Sequence, residues 1–178
     1  MKVPPGPGQA APAATKPQPL SFEVLGSWGG TGPGVGKFHA PEGIDHLEGK
    51  TFVVDKAGPD VELLAPGFAF VLGSVGDGLG GLNAPLDVAA VGASDLSILD
   101  AGNHRVQRYT SGVWKAWGSL GPLAGQLLAP VALDVGPNGH VYVIDQGVHR
   151  VVELTADGDF VRWWGGLGSG EGQFLLPE

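Results

Sequence analysis

The chain has 178 residues, with 10 Lys and Arg against 18 Asp and Glu, no Cys, and a formal net charge of -8. This length accommodates one domain, or one domain and a tail, and the missing cysteines exclude disulfides, thiolate metal sites and a cysteine nucleophile. No two cations are adjacent, and an acidic surface repels phosphate backbones and anionic lipid at long range, which argues against nucleic acid as a partner.

Residues 1–20 hold six prolines (Pro4, Pro5, Pro7, Pro12, Pro17 and Pro19) among Ala, Gly, Gln and Lys. Such a segment buries too little apolar surface to offset its ordering, and it reads as a disordered linker leaning towards polyproline II. It lacks the apolar core of a secretory signal. No stretch of the chain approaches the ~18 apolar residues that span a bilayer.

Gly (32) and Pro (15) are abundant enough to suggest low complexity, but they recur with a period. Pro41, Pro85, Pro130 and Pro177 are spaced by 44, 45 and 47 residues. Thirteen residues before each stands Trp28, Leu72, Trp117 or Trp164, always followed by Gly. Five before each is Gly36, Gly80, Gly125 or Gly172, and three before is Phe38, Leu82, Leu127 or Phe174. Downstream, Asp55, Asp100 and Asp145 each close an apolar run and are followed by Val61, Val106 and Val151.

A period near 45 residues with several short β-rich segments marks the blades of a propeller. The third copy is predicted to form four strands over 131–135, 141–144, 150–154 and 160–164, with turns at Pro137-Asn138-Gly139, Asp145-Gln146-Gly147 and Asp157-Gly158. The second strand of each copy is apolar at consecutive positions, as expected of a sheet stacked between two others. Blades are therefore predicted at about 41–73, 85–118 and 130–165, preceded by one outer strand over 22–28 and followed by a partial unit at 166–178.

The segments Asp100-Ala101-Gly102-Asn103-His104-Arg105-Val106-Gln107 and Asp145-Gln146-Gly147-Val148-His149-Arg150-Val151-Val152 resemble the NHL repeat. The Trp-Gly pairs and Gly172-Gln173-Phe174-Leu175-Leu176-Pro177 resemble that family too, over roughly residues 22–178. The resemblance implies an all-β, NHL-type propeller. Such rings are typically six-bladed and need ~270 residues, so three blades and an extra outer strand imply a fragment of a ring, or a half-ring that pairs with a copy. Open sheet edges would then favour self-association. The first copy departs from the pattern, with Asp55-Lys56-Ala57-Gly58-Pro59-Asp60-Val61 in place of the His-Arg pair. The first blade must brace that turn differently.

Features that recur in register serve the repeat. Arg105 and Arg150 are expected to bridge Asp100, Asp145 and backbone carbonyls, with Asp55 at the matching position of the first blade, and Trp28, Trp117 and Trp164 to pack against neighbouring blades. Trp114 and Trp163 lie off that register and are expected to face outwards. The spaced glycines of Gly76-Asp77-Gly78-Leu79-Gly80-Gly81 precede a strand rather than a helix, so they are no dinucleotide site. His39, His46, His104, His140 and His149 show no short metal spacing. There is no Gly-x-Ser-x-Gly elbow. The expectation is a non-catalytic scaffold, without metal or cofactor, that binds a protein, peptide or other ligand through loops carrying His39, Lys56, Asn83, Asn103, His104, Gln146 and His149. The alternative implied by the resemblance is a channel-centred, metal-dependent lyase or lactonase. The two tyrosines, Tyr109 and Tyr142, lie in predicted strands and do not support the amidating-lyase chemistry of some such propellers.

Overall fold

A computed structural model describes residues 27, 29–32, 34–92 and 94–178. The linker of residues 1–20, most of the predicted first outer strand and Trp28 lie outside the described residues. Among the described residues fourteen strands follow in chain order, and three antiparallel four-stranded meanders dominate. The first blade comprises β1 (Pro41–Leu47), β2 (Lys50–Asp55), β3 (Asp60–Ala65) and β4 (Phe68–Leu72). A short parallel pair, β5 (Ser74–Val75) and β6 (Gly81–Leu82), lies in the connection to the second blade. That blade contains β7 (Asp87–Gly92), β8 (Asp95–Asp100), β9 (Arg105–Thr110) and β10 (Val113–Trp117). The third contains β11 (Pro130–Val135), β12 (Val141–Asp145), β13 (Arg150–Leu154) and β14 (Phe160–Gly165). The strands predicted for the third copy match these to within a residue at each end.

Local chemistry sets the meanders. Glu48-Gly49 and Ser111-Gly112 each join two strands with positive φ at both residues, the two-residue hairpin turn whose twist suits antiparallel strands. The connections between blades repeat one device, a parallel bridge at Thr31–Phe38, β5–β6, Leu120–Leu127 and Leu167–Phe174.

The core lies between the sheets. Phe52, Val54, Val61 and Leu72 of the first blade pack against Leu82, Val88, Leu96 and Ile98. On the other side of the second blade, Leu99 and Val106 meet Leu127, Leu133, Val141, Val143 and Val152. Sandwiched in this way, β8 buries five of its six residues, whereas β12 alternates buried and half-buried because, among the described residues, no sheet covers its far side. There Tyr142 packs edge-on against Trp164, which remains 37% exposed. The innermost strands β1, β7 and β11 lie side by side. Asp45 accepts a hydrogen bond from Ala90 N at 2.7 Å, and Asp87 one from Leu133 N at 2.9 Å, so each link crosses a blade boundary.

At the outer rim, Arg108 grips Asp95 with two nitrogens at 2.7 Å each and donates to Ala156 O of the third blade at 2.8 Å. Beside it, Gly158 lies against the Trp117 indole so closely that a Cβ there would sit 1.8 Å from the ring. Trp117 belongs to the core contact of the second and third blades. The Gly158→Ala variant must displace that ring and adopt φ near +89, so it is expected to lose about 2–4 kcal/mol in urea denaturation. A loss below ~0.5 kcal/mol would show that Trp117 does not key the blades together.

Candidate functional site

The loops following the second strands and the connections between blades share one edge of the molecule, and a carboxylate organises each junction. Asp55, Asp100 and Asp145 are 2%, 0% and 0% exposed. Each accepts backbone N–H groups from the incoming connection: His39 and Ala40 to Asp55, Asn83 to Asp100, and Leu128 and Ala129 to Asp145, all at 2.7–3.0 Å. Burial pushes the Asp55 carboxyl up, but the N–H groups of Ala40, His39, Gly58 and Ala57 outweigh it and hold it below the ordinary carboxylate range.

In the second and third blades an arginine completes the junction. Arg105 donates to Asp100 from Nε at 2.7 Å and to the carbonyls of Asp77, Gly78 and Gly81 at 2.7–2.8 Å. Arg150 donates to the carbonyls of Pro122, Leu123 and Gln126 and lies 3.3 Å from Asp145. The carbonyls are equivalent positions in the two connections, eight, seven and four residues before the repeat proline. The preceding residue, His104 or His149, closes a 3-10 turn in the left-handed conformation with φ 53°. The sequence pair thus divides the work, His turning the chain and Arg spanning the connection.

The first blade differs. It has no 3-10 turn, and at the Arg position stands Asp60. Asp60 Oδ1 is buried without a hydrogen-bond partner. Its neighbour Glu62, 2% exposed, occupies the position of Gln107 and likewise accepts the N–H of a connection glycine, Gly36 in place of Gly80. Burial first, then the charges of Glu62 and Asp55, push the Asp60 carboxyl up to about 6, with His39 opposing them. A cavity of about 310 Å³ is bounded by Lys37, His39, Asp55, Gly58, Asp60 and Glu62.

The candidate binding residues fall in different environments and do not form one cluster. His39 is exposed and borders that cavity, its Nδ1 3.6 Å from Asp55. Lys56, which pairs with Glu42 at 3.3 Å, and Gln146 border a second cavity of about 470 Å³ with Asp87 and Glu178, where the inner strands begin. Asn103 is committed to Gly76 O and Asp100, while His149 accepts from Leu176 N. His104 keeps a buried, unpartnered Nδ1, and Asn83 is exposed. Trp114 does not face outwards as expected: it packs against Tyr109, with ring centroids 5.2 Å apart, beside the core between the first and second blades. Trp163 is 51% exposed, with Arg150 over its ring. Asp60 and Glu62 were missed as site candidates, although an acid at the register of two arginines was a readable signal. Among the described residues no group of three or more His, Cys, Asp and Glu is placed to hold a metal.

No model of a known protein family matches the sequence, and no curated protein matches it. Solved structures do. A streptogramin B lyase aligns with a TM-score of 0.55 at 19% identity over 68% of this chain and 39% of its own. Virginiamycin B lyase from Staphylococcus aureus gives 0.56 at 16% over 70% and 41%. A chain of a nidogen/laminin complex gives 0.54 at 20% over 71% and 47%. The shared feature is the fold. The chain is an all-β, propeller-type structure that spans less than half the length of these relatives.

Two stability measurements test the junctions. Arg105→Ala leaves the buried Asp100 carboxylate without its cation, with only the neutral donors of Asn83, Asn103 and Gln107, and removes three bonds to the connection, so it is expected to cost about 3 kcal/mol in urea denaturation. Arg105→Lys, unable to fork, should recover little of it. At Asp60 the sign is opposite. Its folded pKa lies above the 3.8 of an ordinary Asp, so its contribution is neutral below pH ~4 and increasingly destabilising as pH rises to ~6. Asp60→Asn should therefore stabilise the chain at pH 7 by about 1 kcal/mol, allowing for solvent screening, and by nothing near pH 3.5. Melting curves at both pH values, compared with those of the parent, isolate the contribution of this one carboxyl.

Proposed function

We propose that the chain is a recognition scaffold that binds a protein or peptide through the connections between its blades. The observation that carries this is an exposed apolar row. Ten residues before each repeat proline stand Val75, Leu120 and Leu167, which are 77%, 60% and 67% exposed, with Thr31 at the same position of the first connection. Leu79 and Leu123, 65% and 68% exposed, lie on the same connections. Isolated exposed apolar residues need no explanation, but a row recurring at one register position marks a contact surface. The connections carrying Val75 and Leu120 are pinned by the carboxylate and arginine junctions, so this part of the row is held ready before a partner arrives, which lowers the ordering cost of binding. The side chains beside it vary from blade to blade, giving specificity without disturbing the core. The uncovered aromatic face of the third blade, with Tyr142 and Trp164, is a second apolar surface, through which copies of the chain would self-associate.

The test compares the parent with a Val75→Ser, Leu120→Ser double variant. Crosslinking in cell extract followed by mass analysis should recover a macromolecular partner with the parent and lose it with the variant, while the two melt within a degree or two of each other. If no macromolecule is recovered and a small metabolite raises the melting temperature, the reading fails. Stoichiometric Ca²⁺ or Zn²⁺ in the purified chain would favour the lyase or lactonase alternative.

A further inference from the structure

The three junctions are built alike but charged differently. In the second blade Asp100, Arg105 and Gln107 sum to zero, and in the third Asp145, Arg150 and Val152 do the same. The first blade places Asp55, Asp60 and Glu62 at those positions, three acids and no arginine. Where the other blades hold a guanidinium against a carboxylate and a fan of carbonyls, the first has the 310 Å³ cavity.

We propose that this cavity binds the guanidinium of an arginine side chain supplied from outside the described chain, in the place that Arg105 and Arg150 fill from within. Two independent observations point to this ligand. One is internal precedent: the same fold position takes a guanidinium twice in this molecule, with equivalent partners each time. The other is the buried Asp60 Oδ1, a carboxylate oxygen without a donor. Leaving such an oxygen unsatisfied is costly, and a forked cation is the donor best matched to carboxylates and carbonyls together. Lys37, which borders the cavity, makes no ion pair with Asp55, Asp60 or Glu62, and its Nζ lies beside Gly30. The carboxylates are not gathered closely enough for a metal ion, which separates a planar, dispersed cation from a point charge. The proposal deepens the recognition reading by giving the partner a chemistry, but it is measured without any partner.

The probe is N-acetyl-L-arginine amide, titrated calorimetrically into the whole chain at pH 7.5, with the lysine and citrulline amides as cationic and neutral comparisons. Saturable binding to one site is expected for arginine, weaker by about tenfold or more for the other two. Asp60→Arg supplies the missing group from within, so it should raise the melting temperature and abolish binding. Should that variant fail to fold, Asp60→Asn and Glu62→Gln must each weaken binding severalfold. Absence of saturation, equal binding of the lysine or citrulline probe, or full binding by the Asp60 variants overturns the site. None of these results bears on the apolar row, whose double variant should bind the arginine probe as the parent does.

Discussion

The buried carboxylate at the end of each second strand holds the molecule in register. A blade connection enters the loop edge with N–H groups that its own strands cannot satisfy, and unpaired buried amides are costly. Asp55, Asp100 and Asp145 accept them, so each connection arrives at a fixed height above its sheet. From there the chain passes through the repeat proline into the innermost strand, and the apolar side chains of adjacent sheets interdigitate. The arginine is a second layer on this arrangement, tying the connection to the hairpin of the next blade. The first blade shows that the carboxylate can serve without it.

Much of this was legible in the sequence because repetition multiplies weak signals. One Asp after an apolar run means little, but three in one register fix a role. The strand limits of the third copy followed from turn residues and from apolar runs that only a stacked sheet requires. The Asp and Arg halves of the junction were visible for the same reason. Carbonyl acceptors were expected as a class, but which carbonyls they are was not legible, because a backbone oxygen leaves no trace in residue identity. Nor were the links from Asp45 and Asp87 across the inner strands, since these two acids make the same kind of link from different register positions.

Trp114 shows where pattern reading overreached. Its position three residues before Trp117 puts it on the opposite face of β10, and an off-register residue on a half-buried strand would indeed meet water. In a stacked sheet the opposite face belongs to another neighbour. Trp117 packs towards the third blade and Trp114 towards the first. Trp114 does lie on the face opposite Trp117, but that face is covered by the first blade and not by water.

Because Arg105 and Arg150 reach back into the connection before their own blade, the natural module of this protein is not one sheet. It is a sheet together with the loop that leads into it. Gene duplication or laboratory shuffling that cuts at the end of an outer strand carries the whole junction along, whereas a cut at the repeat proline parts each arginine from its carbonyls. Chimaeras joined at the first boundary should inherit a working hinge, and those joined at the second would have to evolve one anew.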